Sequence, residues 1–311
     1  MQPSGSTRVL RSAVALLCSA VIVATGCGTE VRGQGSMDSR DEPSVGAPPQ
    51  GPAGGGVTGG ANSAVVPPPV HAVVDYQIGG AYPPAPETGV VIRDRSADPV
   101  GGMYSICYLN AFQTQADEWS FWDDLHPDLI LRSPDGRPVR DEDWDEALLD
   151  ISTPDKRERL AGIVGGWMTH CADRGYRAVE PDNLDSWSRS GGLLTRGHAV
   201  AYAGLLAESA HARGLAIAQK NAAELTDGEL RAIGADFAIA EDCQRYSWGA
   251  ATECDRFRSL YGDRVIEIEY SDGGTRAFAA ACRARGDRIS VLLRDREVVP
   301  RGEAGYVNRT C

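Results

Sequence analysis

The chain has 311 residues, is 42% hydrophobic and 24% charged, and carries a formal net charge of −12. An acidic balance of that size argues against a nucleic-acid ligand or an anionic membrane surface, and it favours a cationic ligand through long-range attraction. No cysteine pair has the two-residue spacing of a zinc knuckle and the histidines (His71, His126, His170, His198 and His211) form no ligand motif, so no metal is expected.

Arg8 and Arg11 precede an apolar run over 13–24 that ends in Thr25-Gly26-Cys27. A basic start, a short apolar core and small residues predict an export signal over residues 1–26. The run falls short of the ~18–20 residues of a spanning helix. Cys27 suits the acceptor position of a bacterial lipoprotein signal, although Ala24 stands where such signals more often carry Leu or Val. The expectation is an exported lipoprotein facing outward, attached to the membrane only through its lipid, or a secreted protein if Cys27 is not lipidated. Residues 27–69 are Gly, Pro, Ser and Ala with almost no large apolar side chain. Such a segment buries too little surface to offset its ordering entropy, and it reads as a flexible tether. Residues 70–311 are then a single domain, expected to be monomeric.

Within that domain, short apolar runs alternate with helix-like patterns. Strands are predicted at 73–77, 89–93, 103–108, 178–182, 215–220, 236–241, 265–270 and 288–293. Thr153-Pro154 opens a helix that carries Leu160, Val164, Met168 and Cys171 at helical spacing and stops at Gly175. Further helices are predicted at 198–213, 227–233, 248–260 and 275–285, the last four stopping at Gly214, Gly234, Gly262 and Gly286. The stretch 110–152 holds Trp119, Trp122 and Trp144 without a long periodic helix, and it reads as an elaborated loop over one end. Eight strands alternating with helices, and no Gly-rich phosphate turn after the first, predict a (β/α)8 TIM barrel.

Several strands end in polar clusters: Asp94, Tyr108 with Asn110, Asp182-Asn183-Leu184-Asp185, Lys220-Asn221, Glu241-Asp242, and Glu269-Tyr270. In a barrel these converge on one rim, and carboxylates around a cleft with aromatic neighbours suit glycosidic cleavage. One carboxyl group protonates the leaving oxygen; another attacks the anomeric carbon or activates water. Other roles are open to the same residues: Asp182 and Asp185 could cap a turn or contribute to a calcium loop, and Glu241 or Lys220 could be an ion-pair partner. The tryptophans suit a core as well as a sugar platform. His211 reads as packing or capping. Cys18 leaves with the signal and Cys27 would be lipidated, so Cys107, Cys171, Cys243, Cys254, Cys282 and Cys311 remain as an even set, expected as disulfides.

The chain resembles the glycoside hydrolase family 114 barrels, typified by endo-α-1,4-polygalactosaminidase. The resemblance rests on Asp75-Tyr76-Gln77, Ile106-Cys107-Tyr108, Leu149-Asp150-Ile151, Glu180-Pro181-Asp182-Asn183-Leu184-Asp185, His211-Ala212-Arg213-Gly214-Leu215, Gln219-Lys220-Asn221, Glu241-Asp242-Cys243 with Cys254, and Glu267-Ile268-Glu269-Tyr270, in that order. It implies an endo-acting hydrolase of α-1,4-linked galactosamine polymers, without a cofactor, whose cationic substrate matches the acidic surface. It implies Asp182 as nucleophile and Glu241 as acid/base. Asp75, Asp94, Tyr108, Asn183, Asp185, Lys220, Asn221 and Glu269 are then expected to bind the sugar or orient the pair. By the same resemblance Cys243 bonds to Cys254, Cys282 to Cys311 and Cys107 to Cys171. Val74 departs from the family pattern, which tends to place an aromatic residue before Asp-Tyr-Gln.

Overall fold

Eight parallel strands follow one another in chain order: β1 Val74–Gln77, β2 Val90–Asp94, β3 Tyr104–Asn110, β4 Ala178–Asp182, β5 Ala216–Lys220, β6 Phe237–Glu241, β7 Val265–Tyr270 and β8 Ser290–Arg294. Each falls within about two residues of its predicted range. The computed structural model describes residues 64–248 and 250–311, without the side chains of Ser247 and Trp248. These residues belong to one unit that spans Gly59–Cys311. The predicted signal, the lipidation site Cys27 and most of the tether lie outside the described residues. No helix among the described residues is long and apolar enough to cross a membrane.

Strand positions two apart share a face. Val74, Tyr76, Ile92, Ile106, Tyr108, Ala218, Ile239, Ile268, Tyr270 and Leu292 form the cluster that fills the barrel interior. The alternate positions, Cys107, Leu109, Val179 and Ile217, face helices α2 Pro154–Arg174, α3 Arg196–His211 and α4 Asp227–Ile233. Ala238, Ala240, Val265, Val291 and Leu293 face α5 Glu253–Tyr261 and α6 Arg276–Arg285. Continuous apolar strands result because both sides are covered.

Helix ends follow their caps. The Thr153 side chain accepts from Lys156 N–H, Pro154 occupies the first turn, and Gly175 closes α2 at φ 97°, a conformation that a Cβ would strain. Thr195 and Thr226 make reciprocal capping boxes with His198 and Glu229. Two starts differ from prediction. α3 begins at Arg196 because Thr195, not His198, is the cap. α5 begins at Glu253, since Ser247–Trp248 and Ala251–Thr252 pair as a small hairpin and Thr252 caps the helix.

The wheel is nearly closed. β1 and β8 share no ladder; their seam is bridged by Arg294 Nε donating to Tyr76 O at 3.0 Å and Ala72 N–H donating to Ser290 Oγ at 3.0 Å. A ninth strand, β9 Asn308–Thr310, runs antiparallel to β8 at the seam. The sequence pattern did not announce it, because Asn-Arg-Thr is short and polar. The three predicted disulfides, Cys107–Cys171, Cys243–Cys254 and Cys282–Cys311, are all present. Cys282–Cys311 fastens the residue after β9 to α6.

The segment between β3 and α2 is the expected elaborated loop. It carries a short helix, α1 Trp119–Leu125, and a hairpin that pairs Arg140–Asp141 with Glu146–Ala147. Its tryptophans differ in burial. Trp122 is fully buried against Trp167, while Trp144 is 50% exposed.

Candidate active site

The polar ends of β3 to β7 surround a cavity of about 370 Å³ at the C-terminal rim of the barrel. The inward-facing last residues of successive strands are Asp182 on β4, Lys220 on β5, Glu241 on β6 and Tyr270 on β7, with Tyr108 beside them on β3. Immediately after β4, β5 and β6 come Asn183, Asn221 and Asp242, at φ 67°, 48° and 52°. Asn and Asp tolerate this left-handed conformation better than other non-glycine residues. The Asp-Asn, Lys-Asn and Glu-Asp pairs are thus one repeated device: an inward side chain followed by a residue that turns the chain away. Pro181 brings no N–H to the sheet, and the β4–β5 ladder stops at Val179↔Ile217.

Lys220 is the hub. Its side chain is 1% exposed, and Nζ lies 3.0 Å from Glu180 Oε1, 3.2 Å from Asp182 Oδ1 and 3.4 Å from Glu241 Oε1. It also donates to Tyr76 Oη at 3.3 Å. Burial works against the ammonium charge, but Asp182, Glu180 and Glu241 outweigh it and hold the lysine well above its ordinary range. Glu180 sits fully buried beneath the rim. Burial pushes its carboxyl up to about 7, against the pull of Lys220.

Around that hub the two rim carboxylates are fixed by different donors. Asp182 accepts from Tyr108 Oη at 2.9 Å and from Asn183 N–H at 2.7 Å. Glu241 accepts from Tyr270 Oη at 2.5 Å and from Asn221 Nδ2 at 3.0 Å, while its own N–H donates to Asn221 Oδ1 at 2.9 Å. Burial, with Asp182 beside Tyr108 and Glu241 beside Tyr270, raises both phenols well above their ordinary value, so they remain donors. Two inward carboxylates, each anchored and both open to one cavity, meet the basic requirement for splitting a glycosidic bond.

The sequence profile of glycoside-hydrolase family GH114 matches residues 57–311. The chain belongs to that family. It is therefore a glycoside hydrolase, and solved structures agree in fold. A structure of Aspergillus fumigatus Ega3 in complex with galactosamine aligns with 21% identity and a TM-score of 0.63, over 81% of this chain and all of that one. The glycoside hydrolase domain of PelA from Pseudomonas aeruginosa, as its E218A variant, aligns with 18% identity and a TM-score of 0.50, over 76% and 97% of the two chains. No curated protein matches the chain in sequence.

Of the residues predicted for this hydrolase's site, Tyr108, Asp182, Asn183, Asp185, Asn221 and Glu241 line the cavity. Lys220 lies beneath its floor, where it touches the carboxylates instead of lining the cleft. Three other predicted residues do not line the cavity. Glu269 shares a face with Val265 and Glu267, outside the barrel; it accepts from Gln244 N–H at 2.9 Å, and Tyr270 takes the inward place. Asp75 also points out of the barrel, where it accepts from Tyr82 Oη at 2.5 Å and Asn308 Nδ2 at 3.0 Å and thereby ties β1 to β9. Asp94, on the same face of β2 as Ile92, does not itself line the cavity; it accepts from Ser96 and, at 3.3 Å, from Gln115 Nε2, and Gln115 is the lining residue. His211, the last residue of α3, lies 2.9 Å from Asp236.

Sequence reasoning passed over Glu180, Glu146, Arg189 and Arg296 as site residues. Glu180 had a signal, since it lies two positions before Asp182 and so faces the same way. Glu146 had none, because nothing in a loop sequence states which residues fold back over the rim. Arg189 joins Asp141 at 2.8 Å to Asp185 at 3.0 Å, and Arg296 covers the Tyr270 ring at 4.1 Å.

Proposed function

We propose that this hydrolase cleaves α-1,4-linked galactosamine-containing polysaccharide within the chain, with Asp182 as nucleophile and Glu241 as acid/base. The observation that carries the reading is the shared contact of both carboxylates with Lys220. Two oxygens 3.2 and 3.4 Å from one nitrogen can be no further apart than the sum of those distances. That limit reaches only the bottom of the ~6.5–9.5 Å range of inverting enzymes and contains the ~5–5.5 Å of retaining ones. We infer retention, in which Asp182 attacks the anomeric carbon, Glu241 protonates the leaving oxygen, and water activated by Glu241 then releases the sugar from Asp182. Lys220 and the Tyr108 hydroxyl steady the attacking carboxylate. The Tyr270 hydroxyl orients Glu241.

The acidic chain and the galactosamine bound in the Ega3 structure support a cationic amino-sugar polymer as substrate. The export signal and Cys27 support a location outside the cell membrane on a lipid tether, with the 70–311 domain acting as a monomer. The test is incubation of residues 70–311 with partly deacetylated α-1,4-galactosamine polymer, followed by mass spectrometry, beside Asp182→Asn and Glu241→Gln. Oligosaccharides from wild type and a loss of about 10³-fold or more in both variants are expected. An intact polymer that still binds would make the chain a carbohydrate-binding barrel instead.

A further inference from the structure

The carboxylates that line the cavity differ in what neutralises them. Asp141 and Asp185 share Arg189, and Asp182 and Glu241 share Lys220. Asp143, Glu146 and Glu297 have no ion-pair partner among the described residues. Asp143 and Glu297 are exposed, so water solvates their charge. Glu146 alone is withdrawn from solvent without a cation in contact, Arg189 pulling on it only from beyond ion-pair distance. An uncompensated, partly desolvated carboxylate is unfavourable, and burial pushes Glu146 up to about 7. A cation delivered by a ligand would remove that cost.

Its position identifies the ligand group. Asn110 Nδ2 donates to Glu146 Oε2 at 2.8 Å, Asn183 Nδ2 donates to Asn110 Oδ1 at 2.9 Å, and Asn183 N–H donates to Asp182 Oδ1 at 2.7 Å. Glu146 is thus fixed through two amides to the proposed nucleophile. The carbon attacked by Asp182 is the anomeric C1, and C2, which bears the nitrogen of an amino sugar, is one bond away. Trp144, two residues before Glu146 at the tip of the same hairpin, is half exposed and lines the same wall. Arg140 holds the hairpin base, its guanidinium 4.6 Å from the Trp119 ring. An aromatic face beside an unpaired carboxylate suits an amino sugar, with stacking for the ring and an ion pair for the ammonium.

We infer that Glu146 reads the C2 substituent of the sugar seated against Asp182, accepting a free ammonium and rejecting an acetamide, with Trp144 as the platform for the sugar chain beside it. This rests on the galactosamine reading above. An acetyl group removes the charge and leaves Glu146 facing the ligand unpaired, which discriminates more strongly than added bulk alone.

The sugar attacked by Asp182 becomes the new reducing end of the product, so its identity reports directly on this wall. With polymer about half deacetylated, wild-type products should carry galactosamine over N-acetylgalactosamine at the reducing end in about 10- to 100-fold excess. Glu146→Gln should bring that ratio to within about threefold of the polymer's composition, since the amide keeps the size and loses the charge. The wild-type measurement alone decides the matter if the variant fails to fold. Reducing ends that mirror the polymer's composition in wild type, or an undiminished excess in Glu146→Gln, would overturn the assignment of Glu146 while leaving the hydrolase reading intact. No cleavage of any galactosamine polymer by wild type would remove both.

Discussion

Replacing Glu269 with glutamine tests the outward placement of that residue. Its carboxyl lies on the helix side of β7, buried beside Cys243–Cys254. Gln244 N–H donates to Oε1, Oε2 has no partner, and neighbouring Glu267 is taken by Arg285 at 2.5 and 2.9 Å. Burial pushes Glu269 up from 4.5 to about 8. Between those values the folded chain keeps a proton that the unfolded chain has released. The stability that Glu269 contributes is therefore highest below about pH 4.5, falls as pH rises towards about 8, and is level above. At ~1.36 kcal/mol for each pH unit of that window the limit is about 5 kcal/mol. Relaxation of the surroundings brings the expected loss to about 2–4 kcal/mol. Glutamine imitates the protonated carboxyl, accepting from Gln244 and donating towards Glu267. In urea unfolding, Glu269→Gln should match wild type within ~1 kcal/mol at pH 5 and exceed it by about 2–4 kcal/mol at pH 8. Hydrolysis should be unaffected. An equal difference at both pH values would refute the linkage, and lost hydrolysis in a folded variant would return Glu269 to the sugar site.

Lys220→Met leaves three carboxylates facing one another with no cation. It should destabilise the domain by about 3–5 kcal/mol at neutral pH and lower kcat/KM by more than about 10³-fold, read by denaturant unfolding and oligosaccharide release. Tyr270→Phe removes one donor to Glu241 from a fully buried ring. A fall in kcat of about 10- to 100-fold is expected with a stability change under ~1.5 kcal/mol, so a large loss of stability with normal kcat would count against its orienting role. Cys243→Ser with Cys254→Ser frees the loop after Glu241. The closed loop is short, with a sequence separation of 11 residues, so a loss of about 2–3 kcal/mol is expected in thermal unfolding, and no loss would mean the bond does not constrain the unfolded chain.

The order of strands and helices was legible because apolar runs, threonine caps and terminating glycines are local signals. Asp182 and Glu241 were legible because they end such runs. What failed was the sidedness of single positions. Ile266-Glu267-Ile268-Glu269-Tyr270 alternates, and that alternation places Tyr270 with the isoleucines and Glu269 opposite them. Reading Glu269 as a site residue took nearness to the strand end as sufficient. Asp75, expected from the family resemblance, likewise alternates with the inward Val74 and Tyr76. Lys220 shows another limit, since its neighbours Glu180, Asp182 and Glu241 come from two other strands. Nothing local in Gln-Lys-Asn tells that three carboxylates will surround one ammonium. Trp144 and Glu146 depend on how a long loop folds back, which no periodicity encodes.

The seam between β1 and β8 bears on how the molecule is made. Its two borders are the first and the last of the parallel strands, and the strand that lies there, β9, comes later still. A chain emerging from its N-terminal side therefore carries an uncovered β1 edge through the synthesis of every other strand, and such an edge is a template for unwanted pairing. Contacts between borders so distant in sequence form late, because the intervening loop must close first. The wheel can be completed only after Asn308–Thr310 have arrived, and oxidation of Cys282 with Cys311 then fastens them. For the exported protein proposed above, that order would be an advantage: the half-made chain stays pliable, and the final turn of the wheel is set where thiols oxidise.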